Sequence, residues 1–192
     1  MSERPNATGK RVAVVIGATS KWQADGRNTK LVHGESVDDR DLPVSARWGV
    51  GGAIAQKFAR EGFFVVLTTR TRANAAPLAE AIRRQNGACS IVELDVSSQD
   101  SIAAAFATIR RDAGEPEIVV YNAGYLEGRA LPPEQELMEF FPPEMFETAI
   151  DVAVRGPFLV AKEALPAMRR AGRGSFLFTQ QQADLQCIRH LQ

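Results

Sequence analysis

Two halves of one glycine turn, held apart by a long polar segment, constrain this chain more than any other feature. Residues 11–20 read Arg-Val-Ala-Val-Val-Ile-Gly-Ala-Thr-Ser, an apolar run that stops at Gly17. Residues 49–62 read Gly-Val-Gly-Gly-Ala-Ile-Ala-Gln-Lys-Phe-Ala-Arg-Glu-Gly, a small-residue start that runs into an amphipathic helical pattern. Removing residues 21–48 joins the halves as Gly17-Ala18-Thr19-Ser20-Gly49-Val50-Gly51. Strand, glycine turn and helix in that order can seat a dinucleotide pyrophosphate. Gly17 permits the tight turn, Gly49 and Gly51 let backbone approach phosphate and strand, and the helix N-terminus supplies free N–H groups and the positive end of its dipole. A small-residue strand–helix turn with no ligand is the plainer alternative, and glycine spacing alone does not separate the two.

The rest of the chain repeats the strand–helix rhythm. Short apolar runs stand at 12–16, 63–67, 90–94, 118–121 and 175–178, each rich in Val, Ile or Phe. Continuous apolar strands of this length suit a sheet buried on both faces. Helical patterns lie between them at 51–60, 73–86, 99–113 and 144–171. The first two are expected to stop in the left-handed region at Gly62 and Gly87. The third follows Asp95-Val96-Ser97-Ser98, which offers N-cap hydroxyls. Repeated β–α–β order predicts an α/β fold, with a doubly wound parallel sheet of about five strands and helices on both faces. Three stretches break the rhythm. Residues 21–48 are polar and without period, and are expected to form a surface loop. Residues 125–143 carry four prolines and several acids and read as a substrate-side loop. Residues 180–192 are glutamine-rich and unlike the rest.

Length and composition narrow the setting. A chain of 192 residues with 45% apolar and 24% charged residues can bury a sizeable core, and is expected to form one domain over 1–192. Zero net charge gives no reason to expect nucleic acid or an anionic membrane surface as partner. Cys89 and Cys187 match no metal or redox spacing and are expected as reduced thiols, with no metal bound. No apolar run approaches the ~20 residues of a membrane span, and the Met-Ser-Glu-Arg-Pro start lacks a signal-peptide core. The expected location is the cytoplasm.

Four segments beyond the glycine turn fall at strand ends. Thr68-Thr69-Arg70-Thr71-Arg72 follows the second strand. An acid there would bind a ribose 2′-hydroxyl, whereas Arg70 suits a 2′-phosphate through bidentate contacts. A solvated helix-start arginine is the alternative. Asp95-Val96 puts a carboxylate at the end of the third strand, as a helix cap, a ligand contact or both. Tyr121-Asn122-Ala123-Gly124 ends the fourth strand, where small residues let a ring pack on backbone. Asp151-Val-Ala-Val-Arg-Gly-Pro-Phe158 lies inside the long fourth helix. Trp48 either covers a ligand or pins the insertion to the domain.

With these marks the chain resembles the short-chain dehydrogenase/reductase family over about residues 10–179, apart from the insertion. The resemblance rests on the rejoined glycine turn, Asp95-Val96, Tyr121-Asn122-Ala123-Gly124, Arg155-Gly-Pro-Phe158 and Gly174-Ser-Phe-Leu-Phe-Thr179. It implies a three-layer Rossmann-type fold binding NAD or NADP. It also implies that Asp95 and Val96 frame the adenine and that Asn122, Ala123 and Gly124 line the cofactor. Arg70 points to NADP, with Arg47 or Lys21 as auxiliary cations. A second, narrower resemblance, of Ser45-Ala-Arg-Trp-Gly-Val-Gly51, is to the enoyl-acyl-carrier-protein reductase branch.

The departures bear on activity. The family's catalytic serine falls within Gln180-Gln181-Gln182 here, and its helical asparagine is Ala153. Neither Tyr121 nor Tyr125 is followed by a lysine at the Tyr-x-x-x-Lys spacing. No catalytic residue is therefore assigned. The expectation is an oxidoreductase of carbonyl or alcohol substrates by family, C-terminally truncated and inactive as these 192 residues, with a non-catalytic nucleotide-binding or interaction module as the alternative. Strand 175–178 is expected to be an open sheet edge, and the fourth helix a surface for a homo-oligomer.

Overall fold

The computed structural model describes residues 6, 9–18, 30–32, 35–37, 48–125 and 137–179. Five parallel strands form the main sheet: β1 (Val12–Ile16), β4 (Phe64–Thr69), β5 (Ala88–Glu93), β6 (Pro116–Tyr121) and β7 (Ser175–Phe178), in the order β5-β4-β1-β6-β7. Register runs Val14↔Val66 on one side of β1 and Val14↔Val119 on the other. The helices are α1 (Gly49–Arg60), α2 (Arg72–Arg84), α3 (Gln99–Asp112), α4 (Pro143–Ile150) and α5 (Gly156–Ala171). A single π-turn, Asp151–Arg155, joins the last two.

Side-chain alternation along β1 builds the three layers. Val12, Val14 and Ile16 face a core with Ile102, Phe106 and Ile109 of α3 and Val160 and Ala164 of α5. Ala13 and Val15 face the opposite core, with Ala55 of α1 and Leu78, Ala79 and Ile82 of α2. A strand period of two sends successive residues to opposite faces. All five β1 side chains are buried, because both faces are covered. Each such Val or Ile contributes about 1.5–3 kcal/mol of burial free energy. The α/β fold is thus the one expected from the sequence.

Chain direction decides where a site can form. From β1 the chain steps outward through β4 to β5, then returns to the other side of β1 for β6 and β7. The order reverses beside β1, and in open parallel sheets a crevice forms beyond the strand C-termini at that reversal.

Several local expectations need correction. Within the 21–48 segment, read from sequence as a surface loop, β2 (Lys30–Val32) pairs antiparallel with β3 (Glu35–Val37) in a sheet separate from the main one. Helix α1 does stop at Gly62, whose φ is 86°. After α2, however, Asn86 takes the left-handed position with φ 59°. Gly87 is required for another reason: an added Cβ there would lie 2.6 Å from Ile82 Cγ2. Helix α3 is capped by Ser98, whose hydroxyl accepts from the Ser101 N–H at 3.2 Å. The fourth helix is split by the π-turn. Its apolar side also divides, with Ala164 and Met168 in the core while Phe158 and Leu165 face solvent.

Among the described residues β7 pairs only with β6, and its Leu177 and Phe178 are exposed. Among the described residues no helix is long and apolar enough to cross a membrane. Residues 126–136 of the 125–143 segment read as a substrate-side loop, residues 180–192, and Thr19, Ser20, Lys21 and Arg47 lie outside the described residues.

Candidate functional site

The structure brings the described candidates together at the C-terminal ends of β1, β4, β5 and β6. Gly17 and Ala18 leave β1, and the Ala18 N–H donates to the Thr68 carbonyl at the end of β4 at 3.0 Å. The Asn122 N–H donates to the Ile16 carbonyl at 2.8 Å, which locks the end of β6 onto the end of β1. Gly17 has φ 76°, and a Cβ there would lie 2.7 Å from the Ala123 Cα. Only glycine serves both the turn and that close approach.

Helix α1 starts directly over this turn. Gly49, at φ 68°, stands in open space, while a Cβ on Gly51 would lie 2.5 Å from the Gly17 carbonyl oxygen and 2.7 Å from Asn122 Nδ2. Gly51 therefore lets the helix backbone rest on the strand turn. The helix has no side-chain cap and no acidic residue in its first turn. Its first N–H groups and positive dipole end are left for a ligand. The Val50 side chain is exposed beside them. Trp48, by contrast, is buried in the core between α1 and α2, so it pins the chain at the helix start and does not cover the crevice.

Arg70 follows β4, is exposed, and makes no hydrogen bond or ion pair among the described residues. Arg72 is committed elsewhere: its N–H donates to Glu93 Oε1 at 2.9 Å and its guanidinium to the Ile91 carbonyl at 2.9 Å. Of the two arginines at this strand end, Arg70 is the one available to an anion.

Asp95 does not cap α3. Its Oδ1 accepts from the Ser97 N–H at 3.0 Å and the Ser97 hydroxyl at 2.7 Å, while its own N–H donates to Ser101 Oγ at 2.9 Å. The strand end is thereby folded into a fixed turn, with Val96 buried in the core behind it. The Asn122 side chain is spent on the fold as well. Its Nδ2 donates to the Gly17 carbonyl at 2.9 Å and its Oδ1 accepts from the Thr179 hydroxyl at 2.8 Å. It ties β1, β6 and the end of β7 together, leaving Ala123 and Gly124 as the open floor.

These residues fit a dinucleotide: an uncapped helix N-terminus over a glycine turn, a free cation one strand away, and small residues on the floor. They offer positioning and charge compensation. Among the described residues no group of three His, Cys, Asp or Glu could hold a metal. Ala153, in the π-turn, is exposed and carries no proton-handling group. Sequence reading missed Thr179, Ser101 and the Tyr121 hydroxyl, which donates to the Val152 carbonyl. Only Pro157, sitting inside a helical pattern, hinted at that last contact.

Residues 44–191 match the family described as enoyl-(acyl carrier protein) reductase. The chain is 35% identical over 123 residues to glucose 1-dehydrogenase 2 of Bacillus subtilis, covering 64% of this chain and 45% of that protein. It is 36% identical over 135 residues to cis-toluene dihydrodiol dehydrogenase of Pseudomonas putida, covering 68% and 46%. A metagenomic short-chain oxidoreductase solved in complex with NADP superposes with TM-score 0.67 at 25% identity, over 90% of this chain and 63% of that one. The chain spans about half the length of the curated relatives it matches. With a family match across most of its length and this fold, the chain belongs to the short-chain dehydrogenase/reductase family.

Proposed function

We propose that this chain is the cofactor-binding part of an NADP-preferring oxidoreductase of carbonyl or alcohol substrates. The observation that carries the preference is Arg70, an uncommitted guanidinium at the β4 terminus with Thr69 where an acid would stand for NAD. Gly17, Thr19, Ser20, Gly49, Val50 and Gly51 hold the pyrophosphate in this reading. Asp95 and Val96 frame the adenine, and Asn122, Ala123 and Gly124 line the remainder, Asn122 through its backbone. Bound NADPH would supply a hydride; the chain's own residues bind and orient it. The NADP complex of the metagenomic neighbour supports the reading.

We further infer that these 192 residues bind without turning over, because Ala153 and Gln181 stand at proton-handling and carbonyl-holding positions and no tyrosine–lysine pair is present. The exposed Phe158 and Leu165 of α5 support a homo-oligomeric surface on that helix. The reading places the protein in the cytoplasm as one nucleotide-binding unit.

The test is titration of the chain with NADPH and NADH, followed by nicotinamide fluorescence. NADPH is expected to bind more tightly. Arg70→Ala is expected to remove about 1–3 kcal/mol of NADPH affinity while leaving NADH unchanged. Equal affinities for the two cofactors in the parent chain would refute the preference.

A further inference from the structure

The helical stretch from Pro143 to Ala171 contains a proline where a helix needs a donor. Pro157 has no N–H, and its ring crowds the carbonyl one turn back. Immediately before it the backbone is widened into the π-turn Asp151–Arg155, in which the Gly156 N–H donates to the Asp151 carbonyl. The next carbonyl, that of Val152, would receive its bond from residue 157 in this pattern. Pro157 cannot provide it. A backbone carbonyl without a partner away from water costs about as much as a lost hydrogen bond.

Tyr121 fills the gap from another element. Its hydroxyl donates to the Val152 carbonyl at 2.5 Å from the end of β6. The residue is buried. Burial pushes its phenol up from the ordinary value, so the proton stays on the oxygen and the group remains a donor across the physiological range. The contact also sets a spacing. A Cβ on Gly156 would lie 2.5 Å from the Tyr121 hydroxyl oxygen and 3.0 Å from the Val96 carbonyl oxygen. The start of α5 therefore rests on the phenol and on Val96 together.

We propose that Tyr121 is a positioning residue of the cofactor crevice: its hydroxyl replaces the amide donor that Pro157 lacks, and so holds the π-turn against the Val96 wall. The proposal rests on the reading of Val96 as part of the cofactor site. It makes a specific demand, that Tyr121 and Pro157 act as a pair. Once residue 157 has an N–H, the hydroxyl is redundant.

The experiment is a double-variant cycle of Tyr121→Phe and Pro157→Ala, read by amide hydrogen exchange over residues 151–157 without cofactor and by NADPH affinity. Phenylalanine keeps the ring packed near Phe178, whose centroid is 6.3 Å away, so only the hydroxyl is lost. Tyr121→Phe is expected to speed exchange in the π-turn about tenfold and weaken NADPH binding several-fold, amounts consistent with one hydrogen bond. In the Pro157→Ala background the same change is expected to do less than half as much in both readouts. Equal effects in both backgrounds would overturn the pairing. A parent chain that binds NADPH and a Tyr121→Phe variant that binds it equally well would overturn the positioning role alone. A parent chain that binds no nicotinamide cofactor would overturn the underlying reading and the proposal with it.

Discussion

Gly51→Ala tests the contact on which the crevice is built. Gly51 is helical and outside the left-handed region, so alanine can adopt its backbone, and on an exposed helix the exchange would stabilise by about 1 kcal/mol. Here the added methyl would stand 2.5 Å from the Gly17 carbonyl oxygen, 2.7 Å from Asn122 Nδ2 and 2.9 Å from the Ala18 carbonyl oxygen. Two of these three atoms are backbone and cannot swing aside, so α1 must retreat from β1. Overpacking of this kind costs about 1–3 kcal/mol. Displacing the Asn122 amide forfeits its bond to Gly17, about 1 kcal/mol more. Set against the propensity gain, the net loss is about 1–3 kcal/mol. In urea unfolding followed by far-UV circular dichroism, with a slope of about 2 kcal/mol per molar, the midpoint falls by about 0.5–1.5 M. Gly62→Ala is the control. Its φ of 86° makes alanine strained, at about 1–2 kcal/mol, but no atom stands within 4 Å of the new methyl and the site is remote from the crevice. Both variants should lose stability, and only Gly51→Ala should lose NADPH. A Gly51→Ala protein with the parent midpoint would refute the contact.

Two further outcomes follow from the sheet edge and the ion pairs. In β5 the Leu94 N–H points to β4, so Cys89 and Ile91 point their backbone outward, where the Arg83 and Arg72 guanidinia donate to their carbonyls at 3.4 and 2.9 Å. Such arms block strand addition, and Arg72→Ala with Arg83→Ala should raise concentration-dependent association in light scattering; an unchanged molecular weight would refute the guarding role. Hydrogen bonds from Arg11, with Arg173 at 3.8 Å, hold the Glu117 carboxyl below its ordinary 4.5. A carboxylate with a depressed folded value contributes stability that is present above 4.5 and lost as pH falls through that folded value. Acid unfolding of Glu117→Gln should therefore be shallower than that of the parent below that pH, and identical curves would remove Glu117 from the account.

What could be read from the residues, and what could not, divides along range of interaction. The buried strands were legible because continuous Val and Ile runs have few alternatives at that length, and both halves of the glycine turn were legible because each needs glycine for its own local reason. Asp95 stayed open between cap and ligand contact because Asp95, Ser97 and Ser98 all have capping chemistry, and only the path of the turn gives the cap to Ser98. Gly87 looked like a left-handed stop, yet Asn86 takes that conformation and Gly87 is small because Ile82 lies over it. The structural role of the Asn122 amide was not legible, because Gly17 and Thr179, which meet its two ends, are distant in sequence. The π-turn depends on Pro157 and on a hydroxyl from β6, a pairing no local pattern contains. Arg70 was singled out from its place after β4, whereas the engagement of Arg72 with Glu93 and the Ile91 carbonyl depends on the neighbouring strand β5.

The central claim is that the strand ends around Gly17, Val96 and Asn122 form a nicotinamide-cofactor crevice. Amide hydrogen exchange of the chain with and without saturating NADPH tests it most directly. Protection is expected at residues 49–52, at 96 and at 122–124. None is expected along the separate groove of about 490 Å³ between β5 and α3, lined by Arg72, Ser101, Thr108 and Asp112. Protection confined to that groove, or no change at the α1 N-terminus with NADPH bound, would contradict the account.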